Sequence, residues 1–192
     1  MIHVGDRLPK RGNGFSRVFG CLLMRLFGWK IEGQLPNLSK CVAVIAPHTS
    51  NWDFYFALAA IFALGLRVGW IGKHTLFRWP FGPFMRWLGG APVRRETSAG
   101  RVAEIAELMR TRDRFILGLS PEGTRKRVGR WKTGFYHVAR AAAVPIVLAY
   151  FDYGRKVVGI GPTFETTGDV ERDLTAIRTF YEDKQARHPA LF

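Results

Sequence analysis

Strand-length and helix-length apolar patterns take turns along this chain, and that alternation limits the fold more than any other feature. CVAVIA (41–46) is a short apolar run rich in β-branched residues, WDFYFALAAIFALG (52–65) is long enough for a helix, and RVGWIGK (67–73) again reads as a strand. Residues 98–112 place Val102, Ile105, Ala106 and Met109 on one helical face with Ser98 as N-cap, and RFILGLS (114–120) follows as a buried strand. WKTGFYHVARAAA (131–143) is helical, and VPIVLAYFDY (144–153) and KVVGIG (156–161) are strands. A last helix from about Asp169 carries Val170, Leu174, Ile177 and Tyr181 on its apolar face.

Such an order predicts an α/β fold: a single-domain, mixed and largely parallel sheet flanked by helices, with functional residues on loops beyond the strand ends. With 192 residues, 47% of them hydrophobic, the chain fills one core and leaves no room for a second. We divide it into an N-terminal segment, 1–30, and a globular domain, 31–192.

In the N-terminal segment, FSRVFGCLLMRLFGWK (15–30) repeats Phe15, Val18, Phe19, Leu22, Leu23, Leu26 and Phe27 at helical spacing, and Arg17, Arg25 and Lys30 supply cations. This is the pattern of an amphipathic helix lying in a membrane surface, and equally of one packed on its own core. The charge balance bears on the choice: 29 Lys and Arg against 15 Asp and Glu leave +14. A surface of that sign attracts nucleic acid, anionic lipid headgroups, an acidic carrier protein or a phosphorylated substrate. No segment reaches the roughly 18 to 20 apolar residues of a membrane-spanning helix. MIHVGDRLPKRGNG lacks the apolar run of a secretory signal, and the two cysteines, Cys21 and Cys41, form no CxxC pair, so a cytoplasmic, reducing location is expected.

Two loops carry the candidate chemistry. In PHTSNWDFYF (47–56), His48 and Asp53 would lie about 140° apart on a continuous helix and could not meet. Pro47 stops the strand, however, and Thr49, Ser50 or Asn51 can cap a helix with Asp53 in its first turn, so that His48 bends back onto the carboxylate. An aspartate on one imidazole nitrogen fixes the tautomer and leaves the other as a base. The same residues also suit a plain helix start, with Asp53 favouring the dipole.

The second loop, SPEGTRKRVGRWKTG, leaves the end of FILGLS. Gly123 permits close backbone approach, Thr124 adds a hydroxyl, and Arg125 matches phosphate oxygens with a rigid fork; a solvated basic turn would look the same. Ser120 is a poor nucleophile, because a nucleophile elbow uses the N–H after the serine and Pro121 has none. His3, His74, His137 and His188 show no metal-ligand spacing with His48, so no metal is expected. Between the loops, residues 72–95 hold Phe77, Trp79, Phe81, Phe84, Met85, Trp87 and Leu88. That run fits a membrane interface, the wall of a groove for an alkyl chain, or two core-packed short helices.

The order of these features resembles the glycerolipid acyltransferases, the lysophospholipid or 1-acyl-glycerol-3-phosphate acyltransferase family, over residues 42–150. HTSNWD looks like its HxxxxD block and SPEGTR like its phosphate-contacting EGTR block; in GKH…GGAPVRR, Lys73 and Arg95 take the basic positions, and VPIVLAYF resembles the fourth block. Pro47, Arg94, and Leu148 with Ala149 depart from the family pattern.

The resemblance implies that residues 31–192 form a catalytic domain that moves an acyl group from acyl-CoA or acyl-carrier protein to a hydroxyl of a lysolipid. His48 would act as general base, Asp53 as its partner, and Arg125 and Arg95 would grip the acceptor phosphate. Lys73, Gly123 and Thr124 would line that pocket and Glu122 would organise its arginines. Neither a cofactor nor an acyl-enzyme is needed, and the enzyme would sit peripherally on the inner face of the cell membrane, against an anionic surface. The rival is a non-enzymatic nucleic-acid or lipid-surface binder; no RNP, zinc-finger or helix-turn-helix pattern occurs, so no nucleic-acid partner is expected.

Overall fold

The computed structural model describes residues 2–93 and 98–192. In chain order the main elements are α1 (Gly14–Leu26), β1 (Lys30–Gly33), β2 (Lys40–Ala46), α2 (Asn51–Leu64), β3 (Val68–Lys73), α3 (Gly82–Trp87) and β4 (Gly90–Val93), followed by α4 (Ser98–Thr111), β5 (Phe115–Leu119), α5 (Gly134–Ala141), β6 (Ile146–Asp152), β7 (Val157–Phe164) and α6 (Val170–Tyr181). The described strands form one seven-stranded sheet of order β1-β7-β6-β2-β5-β3-β4. Every neighbouring pair is parallel except β6 with β7. This is the mixed, largely parallel α/β sheet that the alternating pattern predicts.

The central strands are apolar on both faces because helices cover both. On one face Val42, Val44, Ile146 and Leu148 pack with Met109 of α4, Tyr136 and Val138 of α5, and Ile177 of α6. On the other, Phe151 joins Met24, Trp29, Phe56, Ala59 and Ala60. Two strands escape the sequence pattern, β1 (KIEG) and β4 (GAPV), each four residues long at a sheet edge. Neither has the length or alternation that marks a strand; both exist because a neighbouring strand offers them its free edge.

Helix α2 is apolar nearly all round, and packing explains it: one side rests on the sheet and α1 lies over another. Gly20 of α1 makes that close approach possible, since a Cβ there would lie 2.4 Å from the backbone nitrogen of Ala63. The segment before α1 is also part of the fold. Leu8 is buried with Cys41, Leu66, Val68, Ile116 and Val147, and Lys10 bridges Leu66.

With Gly20 and Met24 turned inward and Leu23 packed beside them, much of the α1 stripe still faces out: Phe15 is 80% exposed, Leu26 77%, Leu22 59% and Val18 58%. The segment after β3 behaves similarly. Phe77 and Leu88 are buried and anchor it, while Trp79, Phe81, Phe84 and Trp87 are exposed. No helix among the described residues is long and apolar enough to cross a membrane. Cys21 is exposed and Cys41 buried, and both are free thiols; burial pushes the Cys41 thiol up to about 12.

Candidate active site

The loops singled out in the sequence leave the same edge of the sheet. Strand β2 lies between β5 and β6, parallel to both, with Val44 level with Leu119 and Ala46 level with Tyr150. The chain therefore emerges side by side at Pro47, Ser120 and Tyr153, the strand-end position where open α/β sheets bind ligands.

Ser50 starts α2. Its hydroxyl accepts the N–H of Trp52 at 3.2 Å, and Asp53 reaches back to accept the N–H of Ser50 at 2.8 Å. This reciprocal cap takes Asp53 Oδ2 to the end of the helix, where it lies 3.2 Å from Nδ1 of His48. The helix start and the histidine–aspartate pair thus share one carboxylate. Asp53 is fully buried, whereas the His48 side chain keeps 25% of its surface exposed. With Nδ1 turned to Asp53, Nε2 is the nitrogen left to take a proton.

The other carboxylate oxygen, Oδ1, accepts a hydrogen bond from the Tyr153 hydroxyl. Burial first, and then the adjacent Asp53, push the Tyr153 phenol well above the ordinary tyrosine range. Tyr153 was not marked by any local pattern, because it is 100 residues from its partner.

Glu122, expected to organise arginines, has both oxygens engaged by other groups among the described residues. Oε1 accepts the backbone N–H of His48 at 3.0 Å and Oε2 takes the Ser120 hydroxyl. The physical reason is its direction: after buried Pro121 the side chain turns inward, 3% exposed, toward the neighbouring β2 loop, while the basic residues that follow face out. Ser120, dismissed as a nucleophile, is thereby a hydrogen-bond donor that helps hold Glu122.

Gly123 has φ 61°, the left-handed region that favours glycine, and the side chain of Lys132 lies over it, its Nζ 2.8 Å from where a Cβ would sit. Lys132 also donates its backbone N–H to Pro121 at 2.8 Å, closing the loop on itself. Thr124 is half-buried and Arg125 exposed; the Arg125 guanidinium donates to the side chain of Asn51, the first residue of α2. That contact brings the arginine to the helix end that carries His48 and Asp53.

Lys73 is exposed at the end of β3, paired with Val93 of β4. Arg95 lies outside the described residues. The C-terminal segment supplies partners that sequence reading missed. His188 donates its N–H to Thr49 at 3.2 Å, and the Arg187 guanidinium lies 5.3 Å from the Trp52 ring centre and 5.9 Å from that of Tyr153. Among the described residues no cluster of three or more His, Cys, Asp or Glu side chains could hold a metal ion. The arrangement offers a base with a buried carboxylate behind it and exposed cations close by.

Comparison with known proteins gives this geometry a context. A family model described as Acyltransferase matches residues 30–151. The 1-acyl-sn-glycerol-3-phosphate acyltransferase of Escherichia coli (strain K12) is 34% identical over 152 residues, which cover 73% of this chain and 60% of that protein. The protein of the same name from Haemophilus influenzae is 30% identical over 186 residues, covering 84% of this chain and 75% of its own. The crystal structure of the 1-acyl-sn-glycerophosphate acyltransferase from Thermotoga maritima is similar at a TM-score of 0.60 and 16% identity, over 90% of this chain and 80% of that one, a likeness of fold.

Proposed function

The chain belongs to the acyltransferase family, and from that premise we propose that it moves a fatty acyl group from a thioester donor to the free hydroxyl of a lysophospholipid. The acceptor class is 1-acyl-glycerol-3-phosphate or a close relative, and the donor is acyl-CoA or acyl-carrier protein. One observation carries the reading: His48 Nδ1 lies 3.2 Å from a fully buried carboxylate, beside a loop whose Arg125 reaches the same helix end.

In this mechanism Nε2 of His48 takes the proton of the acceptor hydroxyl as its oxygen attacks the thioester carbonyl, and Asp53 stabilises the imidazolium through Nδ1. The carbon–sulfur bond then breaks, and the departing thiolate takes the proton from the His48 imidazolium, leaving as thiol and restoring the neutral base. A thiolate is already a good leaving group, so a base and correct placement supply most of the acceleration. Arg125, with Lys73 and Arg95, binds the acceptor phosphate, and Gly123 and Thr124 shape that loop. Glu122 serves the same site from behind by holding the His48 backbone.

The uncovered stripe of α1 and the exposed aromatics around α3, on a chain of charge +14, support a peripheral site on the inner face of an anionic membrane. The deciding experiment is thiol release from a long-chain acyl-CoA, and separately from acyl-carrier protein, with a panel of lysolipids in detergent. Release that needs a lysolipid and vanishes in His48→Ala supports the proposal. No acceptor-dependent release by well-folded protein overturns it.

A further inference from the structure

We infer that Tyr153 is a positioning residue for the His48–Asp53 pair: its hydroxyl fixes the plane of the Asp53 carboxylate so that Oδ2 faces the imidazole. The inference rests on the acyl-transfer reading only for its kinetic consequences.

The geometry leaves Asp53 little freedom. The side chain is fully buried, so each oxygen needs a donor from the protein. Oδ2 accepts the N–H of Ser50 at 2.8 Å and faces His48 Nδ1 at 3.2 Å; Oδ1 accepts from Tyr153. Without that hydroxyl, Oδ1 would be a buried charged oxygen with no donor among these groups, and the carboxylate could turn about its terminal bond.

The tyrosine is itself held. Its ring sits edge-on to Trp29 with centres 4.8 Å apart and to Phe56 at 6.3 Å, and its backbone N–H donates to Gln185 at 2.8 Å. Burial and the neighbouring carboxylate keep the phenol protonated, so it donates throughout the working pH range. During transfer its proton stays on Tyr153. With its plane fixed, the Asp53 carboxylate keeps Oδ2 on His48 Nδ1 as the imidazolium forms.

Tyr153→Phe keeps the ring and removes the donor. We expect kcat to fall about 10- to 100-fold with KM for the lysolipid little changed, the range for losing a hydrogen bond to a charged group that orients a reacting one. The downfield ¹H signal of the His48 Nδ1–H, which reports its hydrogen bond to Asp53, should move upfield or be lost. A tyrosine that only fills the core would leave that signal in place. A well-folded Tyr153→Phe with unchanged kcat and an unchanged Nδ1–H signal overturns the inference. If wild type transfers no acyl group, the acyl-transfer reading falls, and the Nδ1–H signal alone decides the role of Tyr153.

Discussion

Glu122 accepts the backbone N–H of His48 at 3.0 Å across 74 residues of sequence, so the buried carboxylate of one loop holds the backbone of the other. Glu122→Ala leaves that N–H and the Ser120 hydroxyl without their acceptor, at an expected cost of about 1 to 3 kcal/mol. Glu122→Gln keeps an oxygen for His48 and offers its amide to the Ser120 oxygen, so most of the stability should return. Urea melts of both variants check this, and Glu122→Ala as stable as wild type would contradict it.

His48→Ala should lower turnover by about 10² to 10⁴-fold, the usual contribution of a general base, and leave the thermal midpoint nearly unchanged. Its side chain is partly exposed, and the cap between Ser50 and Asp53 survives its loss. Thiol release and a circular dichroism melt on the same sample separate chemistry from folding.

Arg125→Lys keeps the charge but loses the rigid fork. We expect KM for a phosphate-bearing lysolipid to rise about 10-fold while kcat stays within a few-fold, and Arg125→Ala to rise further. Initial rates against acceptor concentration test this; a change confined to kcat would remove Arg125 from the binding role.

Leu22 and Leu26 stand 59% and 77% exposed on α1, with Arg25 between them in sequence. If the stripe enters a lipid surface, each leucine contributes up to about 1.5 to 3 kcal/mol of burial, so Leu22→Ser should weaken partition onto anionic vesicles about 10-fold or more. Raising the salt should release the protein, since each nearby Lys or Arg adds about 1 kcal/mol. Sedimentation with phosphatidylglycerol vesicles reads both, and equal binding of wild type and Leu22→Ser contradicts the surface role.

Asp173 sets a pH dependence away from the site. Burial works against its charge, but the Thr167 N–H at 2.7 Å, the Tyr136 hydroxyl at 2.8 Å and the Thr167 hydroxyl at 2.9 Å outweigh it and hold the carboxyl below its usual value. The folded state therefore binds this proton less readily than the unfolded chain. The stabilisation is fully present above the ordinary value of 3.8 and is lost as pH falls through the lower folded value. Asp173→Asn should be less stable at neutral pH and should lose less of its remaining stability on acidification, as urea melts at pH 7 and pH 3 would show.

Local chemistry settled much of this protein. The alternation of β-branched runs with helical stripes is legible from a few residues at a time, and so are the proline that ends β2, the capping pair Ser50 and Asp53, and the glycine–arginine loop after β5. Periods and caps are interactions among residues three or four apart, and any window of sequence contains them. Edge strands β1 and β4, by contrast, carry no signal of their own, because only a partner's free edge makes them strands. The site's long-range bonds belong to the same class: Tyr153 to Asp53 across 100 residues, and Arg125 to Asn51 and Glu122 to His48 across 74 each. They exist because β2 lies between β5 and β6 in parallel register, so three distant loops share one sheet edge. Strand order is a property of the packed chain; it set Glu122 beneath the backbone of a histidine and placed a tyrosine behind the aspartate.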